Sequence, residues 1–235
     1  MKMSRMMASG VVVAVASAAM ADTVQMRFVG TGSGRNVRVT TDSGSRNLFA
    51  GQLVHNFSDG TGALSSLTGD RFTYCVDLGQ YVSSSSTTYT LSPIADLTAA
   101  SPMGEDRALA IHSIFNAQPF WPSQASVSQD YAAALQLVIW DIITDYNSAA
   151  GVSSLGLSSG SLRAARTDGS PLGLAITSHY ATFVSYIGTS GGVGSGVLGL
   201  GNDSSQDQIL PVSVPAPGAG LLAGLGALAV ARRRR

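Results

Sequence analysis

The order of patterns along the chain predicts an α+β fold. Three observations carry it: β-type alternation fills the first part, helical patterns follow, and a strand pattern closes the domain. Val24, Met26 and Phe28 alternate, as do Val37 and Val39. Between them, Gly30-Thr31-Gly32-Ser33-Gly34 reads as a β-turn segment. Residues 48–57 read as a second strand, and Asp59-Gly60 and Gly69-Asp70 as turns. The run 71–78 sets Phe72, Tyr74, Val76 and Leu78 on one face and Cys75 on the other, with Thr73 and Asp77. Residues 81–91 continue as a strand after a polar loop at 83–86.

The period then changes. Ser101-Pro102, with Glu105 and Asp106 behind it, predicts a helix start, and the helix runs to about Asn116. A loop at 119–122 holds Phe120 and Trp121. Ser126-Val127-Ser128-Gln129 has capping-box spacing and opens the strongest helix, about 127–147. Residues 151–160 read as a flexible Gly/Ser segment and 171–188 as a third helix. Residues 191–201 read as low-complexity glycine and 206–212 as a strand returning to the sheet. No internal repeat is present.

The two ends have other signatures. Lys2 and Arg5 precede a short apolar stretch at 11–19 and the small-x-small site Ala19-Met20-Ala21, which is the layout of a secretory signal peptide over 1–21. Val214-Pro215-Ala216-Pro217 is followed by an apolar run at 218–231 and Arg232 to Arg235. That run is shorter than the ~20 residues a spanning helix needs, and the arginines hold its end on the cytoplasmic side. Segment 214–235 resembles the PEP-CTERM sorting signal read by exosortases in Gram-negative bacteria. It departs at Ala216, where that motif has glutamate. The resemblance implies transient membrane contact, an exosortase-type processing enzyme as partner, and a destination at the cell surface or in the extracellular matrix. A weak permanent tail anchor is the alternative.

Between these ends lies one domain, 22–213, of about 190 residues. Glycine is high at 27 of 235 and charged residues make up only 12%, the composition of a β-rich extracellular domain. The zero net charge of the chain hides an imbalance, since six of the fourteen basic residues lie in the end segments. The domain keeps 8 arginines against 14 acids. An acidic balance is unsuited to nucleic acid, whose binding needs a positive face. Lys2 is the only lysine, so the domain carries almost no amine that could consume an internal acyl electrophile.

Cys75 is the only cysteine. In an exported domain it cannot close an internal disulfide. It is a buried inert thiol, a partner in an intermolecular disulfide, or committed to another group. Gln136, Ile139, Trp140 and Ile143 lie at i, i+3, i+4 and i+7, on one face of the second helix. A primary amide in an apolar stripe needs partners; a lone buried glutamine usually finds them in a backbone group.

Tyr74-Cys75-Val76 and Leu135-Gln136-Leu137-Val138-Ile139-Trp140 together resemble the two motifs of bacterial thioester domains, found in surface adhesins. The order also matches: cysteine on a strand, glutamine on a later helix. The resemblance covers most of the domain. It implies an antiparallel β-sandwich or barrel with an inserted helical subdomain. It also implies a thioester between the Cys75 sulfur and the Gln136 acyl carbon, shielded by Tyr74, Ile139 and Trp140. The bond would acylate an amine on an extracellular protein or polysaccharide once, so the domain is not a turnover enzyme.

His55, His112 and His179 are candidate bases, and Asp77 and Asp141 could orient an ammonium. Structural or solvent-exposed roles account for the three histidines, and surface or capping roles for the two aspartates, without any part in such chemistry. A Cys-His hydrolase lacks a local signature around Cys75, and one cysteine with three scattered histidines has no zinc spacing. No cofactor is expected. The rival reading is a non-covalent matrix or adhesion module with a free or dimerising Cys75.

Overall fold

The computed structural model describes residues 21–98, 101–117, 127–189 and 196–212. The sorting-signal segment, the loop at 119–122 and all of the signal-peptide reading except Ala21 lie outside them. Among the described residues seven strands and three α-helices follow in the order β1 (Thr23–Thr41), β2 (Gly44–Ser58), β3 (Gly69–Cys75), β4 (Thr87–Ser92), α1 (Glu105–Asn116), α2 (Gln129–Asp145), β5 (Arg163–Arg166), α3 (Leu174–Tyr186), β6 (Val197–Gly201) and β7 (Gln208–Pro211). The fold is mixed α+β around one large antiparallel sheet. Pairings run β1–β2–β3–β7–β6–β4, and β4 pairs in turn with β1; β5 adds to the outer half of β1.

The hairpin β1–β2 is the frame. Its strands are 19 and 15 residues long, well beyond the usual length, and they bend instead of running flat. The expected turn at Gly30–Gly34 is part of β1. It holds two register shifts, between Phe28 and Gly30 and between Thr31 and Gly34. Such bulges raise local twist, and β1 thereby pairs with β4 through its first residues and with β5 through Val37 to Thr40. Glycine is required at the second shift. A Cβ on Gly34 would meet the Ala50 carbonyl oxygen at 2.4 Å, and one on Gly51, opposite it, the Ser33 carbonyl oxygen at 2.3 Å.

The alternation at each end of β1 faces a different core. Val24 and Met26 pack with Phe57, Leu64, Tyr89 and Leu210. Val37 and Val39 join the larger cluster, built on the helices. α2 lies at its centre, packed on β1, β2, α1 and α3. Every residue of α2 from Ala132 to Ile142 is buried, so its face with Gln136 is one of several buried faces, not a single stripe. An all-round apolar helix is what a helix enclosed by other elements requires.

Several boundaries move. α1 starts at Glu105 behind Gly104, whose φ is 82°, three residues later than Pro102 suggested. α2 is capped by Ser128, whose hydroxyl accepts from Tyr131 N–H at 3.2 Å. Residues 151–160 are not a flexible spacer. The Asp141 carboxylate accepts from Gly156 N–H at 2.9 Å, and Asp145 from Ser161 and Leu162 N–H at 3.0 and 2.8 Å. These bonds pin the segment to α2 and lead into β5. The glycine-rich 191–201 segment contributes β6, whose Val197 and Leu200 are buried. The closing strand returns to the sheet as β7, beside β3.

Gly34→Ala is expected to lower stability by about 1–3 kcal/mol, the usual cost of overpacking. Gly30→Ala, where a Cβ meets nothing within 4 Å, is expected to be nearly neutral. Denaturant unfolding of the two variants checks the pair.

Candidate functional site

β3 ends on Cys75 between two neighbours. On one side β7 continues, with Cys75 opposite Gln208, and Val76 N–H donates to Asp207 O at 3.1 Å. On the other side β2 pairs with β3 only as far as Leu53 opposite Thr73. Continued by two more pairs, that register would have set Gly51 against Cys75, but β2 no longer pairs with β3 there. The Cys75 N–H and C=O would be left bare in the core, at a cost of about 1–3 kcal/mol each.

Gln136 fills that place. Its Oε1 accepts from Cys75 N–H at 3.0 Å and its Nε2 donates to Cys75 O at 2.7 Å. The side-chain amide stands in for a peptide group of the missing strand, so the buried-glutamine reading and the two-motif reading meet at one contact. Cys75, Gln136 and Trp140 are 3%, 1% and 3% exposed. The thiol sits beside this pair. It accepts from the Trp140 indole N–H at 3.4 Å and donates to Asp77 O at 3.2 Å. Burial pushes the thiol up to about 12, with the Trp140 N–H pulling the other way.

A cavity of about 110 Å³ ends on Cys75, Gln136 and Trp140, walled by Leu48 and Phe49 of β2 and by Leu78 and Val82 of the segment after β3. That segment is tied down by Gln206, which donates through Nε2 to Asp77 O at 2.7 Å and to Gln80 O at 3.0 Å. Arg46 adds a bond to Leu78 O at 2.5 Å.

The other expected residues fall elsewhere. Tyr74 and Ile139 are fully buried in the main core, outside the cavity lining. His55 bonds Thr73 Oγ1 at 2.9 Å, and burial lowers it to about 4, so it is held neutral. His112 is buried in α1, and burial lowers it too. His179 lies edge-on to Tyr131. Asp141 faces the Tyr180 hydroxyl and Gly156 N–H. Only Asp77 touches the thiol, and it does so through its carbonyl; its carboxylate accepts from Gly79 N–H at 2.6 Å. The described lining holds neither a histidine nor a carboxylate. Gln206, Gln80 and Arg46 were not singled out from the sequence. They are isolated polar residues in unremarkable runs, and only the fold turns them toward one place.

The described lining places hydrogen-bond donors at the Gln136 carbonyl and at the sulfur, and holds no histidine or carboxylate. The Cys75 N–H polarises the Gln136 carbonyl and would receive the charge that grows on Oε1 when a nucleophile adds. Trp140 N–H stabilises sulfur as it gains or keeps negative charge. Among the described residues no group of three or more metal-ligating side chains is found, and no helix is long and apolar enough to cross a membrane. No protein-family model, curated protein or solved structure matches the chain, so the resemblance to thioester domains rests on the two motifs and their geometry.

Gln136→Leu is expected to destabilise the fold by roughly 2–5 kcal/mol, because both Cys75 backbone groups lose their partner inside the core. Trp140→Phe keeps most of the packing and is expected to cost less. Chemical denaturation compares the two.

Proposed function

We propose that Cys75 and Gln136 form an internal thioester through which an exported surface or matrix adhesin bonds covalently to an amine outside the cell. One observation carries the reading: a carboxamide held by two hydrogen bonds on the backbone of the only cysteine, with the thiol beside it and a cavity leading in. Holding both partners in place supplies the proximity that a glutamine amide needs to acylate a thiol, an effect that can be worth ~7–11 kcal/mol.

In formation, Sγ adds to Gln136 Cδ, and the oxyanion is received by Cys75 N–H. The C–N bond then breaks. Nitrogen leaves as ammonia, carrying the thiol proton, and a thioester remains. In use, an amine adds to the same carbon, sulfur leaves as the thiol, and an amide replaces the thioester. The acyl group is spent in one event, so this is a single-turnover attachment and not enzyme catalysis. Burial of the bond protects it from water until an amine enters.

The rest of the chain fits this use. The end segments support export and surface sorting, with an exosortase-type enzyme as processing partner. The closed circuit of strand pairings supports a barrel with helices packed on it. The acidic domain argues for a protein or polysaccharide amine, not nucleic acid, as target. Burial of Cys75 at 3% exposure disfavours the dimerising alternative, which needs an accessible thiol.

Intact-mass measurement tests the bond. The purified chain is expected to be lighter by about 17 Da, the mass of the ammonia lost in this covalent modification. Methylamine is expected to add its own mass and release one titratable thiol. Cys75→Ala should remove both changes. An unshifted mass with a thiol that titrates on unfolding would establish the non-covalent module instead.

A further inference from the structure

Gln136 and Cys75 are 1% and 3% exposed, so a group carried on a large partner does not reach them while every wall of the cavity stays in place. Which wall moves depends on what holds each one. Leu48, Phe49 and Leu53 belong to β2, which is paired with β1 along that stretch. Gln136 and Trp140 belong to α2, where every residue from Ala132 to Ile142 is buried. The remaining wall, residues 77–82, lies outside every strand and helix. A segment with no ladder of its own opens at lower cost than the elements around it.

Gln206 ties that segment down. Its backbone N–H donates to Tyr81 O at 3.1 Å, and its side chain reaches Asp77 O and Gln80 O at 2.7 and 3.0 Å. Both targets of the side chain are carbonyls, so only a donor serves there. The amide is held in that orientation from behind. Gln208, fully buried, donates through Nε2 to Gln206 O at 3.2 Å and to Gln206 Oε1 at 3.3 Å. The Thr73 hydroxyl in turn donates to Gln208 Oε1 at 2.9 Å. Asp77 O is a shared acceptor, since it also receives the Cys75 thiol at 3.2 Å. A thioester sulfur has no proton to give, so of these two donors only Gln206 would then remain on Asp77 O.

We propose that residues 77–82 form a strap that swings off the Cys75–Gln136 pair, and that Gln206 is the positioning residue that latches it shut. What the strap guards rests on the thioester reading; its opening does not. Gln206 touches neither reacting atom and acts through the Asp77 and Gln80 carbonyls. With the latch made, the strap keeps water from the acyl carbon. With the latch broken, the pair opens to solvent and to a nucleophile carried on a larger molecule. The rate at which anything reaches Cys75 is then set by the latch and not by unfolding of the domain.

The test uses the full chain after its mass has been measured. Where the mass shows a thioester, access is the rate at which water and methylamine consume it, followed by intact mass. Where it shows a thiol, access is the rate of N-ethylmaleimide addition to Cys75 in the folded chain, divided by the rate in the unfolded chain. Gln206→Leu is expected to raise access at least about ten-fold, through the loss of two hydrogen bonds. Gln206→Glu, of equal size, sets an acceptor against two carbonyls and is expected to raise it as far. Leu64→Ala, in the separate core around Val24 and Tyr89, weakens the fold away from the strap and is expected to leave access unchanged. Wild-type access should stay nearly constant in urea below the unfolding transition, because a short strap exposes little surface. Wild-type access in either Gln206 variant overturns the inference, and so does an equal rise in Leu64→Ala. If neither Gln206 variant folds, the urea series decides, and access that climbs along the slope of global unfolding overturns the inference. An unshifted mass overturns the thioester and leaves the strap to the maleimide rates.

Discussion

Everything at the site depends on one reciprocal contact, the carboxamide of Gln136 against the backbone of Cys75. A strand that ends inside a core must do something with its last N–H and C=O. Here a helix side chain takes both, because β2 stops pairing with β3 at Leu53 and Thr73, before it reaches Cys75. The bend comes from the glycine bulges of β1 and from Gly51, so a feature of the frame creates the vacancy that the glutamine fills. The contact is a structural necessity first. Its chemical consequence, an amide carbon held beside a thiol, comes with it.

The surroundings keep that pair neutral. The thiol is raised by burial, the nearest histidines are elsewhere, and the two carboxylates flanking the motifs are engaged with other groups. Among the described lining no histidine or carboxylate stands ready to move a proton. What it offers is dipoles: a backbone N–H on the carbonyl oxygen and an indole N–H on sulfur. Fixed dipoles in a largely apolar cavity fit the proposed acyl transfer, in which charge develops on the Gln136 oxygen and on sulfur.

The segment after β3 links this chemistry to the sheet. It forms one wall of the cavity, and Gln206, just before β7, holds it through two of its carbonyls. β7 itself runs beside β3, so the closing strand of the domain supports both the cysteine and the cover over it.

Much of the plan was legible along the chain because local patterns report local periods. The alternation of Val24, Met26 and Phe28 marked β1, the apolar density around Leu135 to Trp140 marked the buried helix, and Cys75 and Gln136 stood out as a lone thiol and an amide among apolar residues. Where glycine dominates, the period is silent: the bulged middle of β1 read as a turn, and β6 read as formless. β5, Arg-Ala-Ala-Arg, lacks the β-branched residues that announce a strand, and Tyr74 and Ile139 were expected at a site they only underlie. The sequence by itself determined the residue types and their order, and set one carboxamide in an apolar helical stripe. Only the tertiary structure decided that these two meet, that Trp140 reaches the sulfur, and that Gln80 and Gln206 face the same space. Hydrogen bonds between residues 61 positions apart leave no trace in any local period; they exist because a bent sheet and a buried helix bring two backbone vacancies and one side chain to the same point.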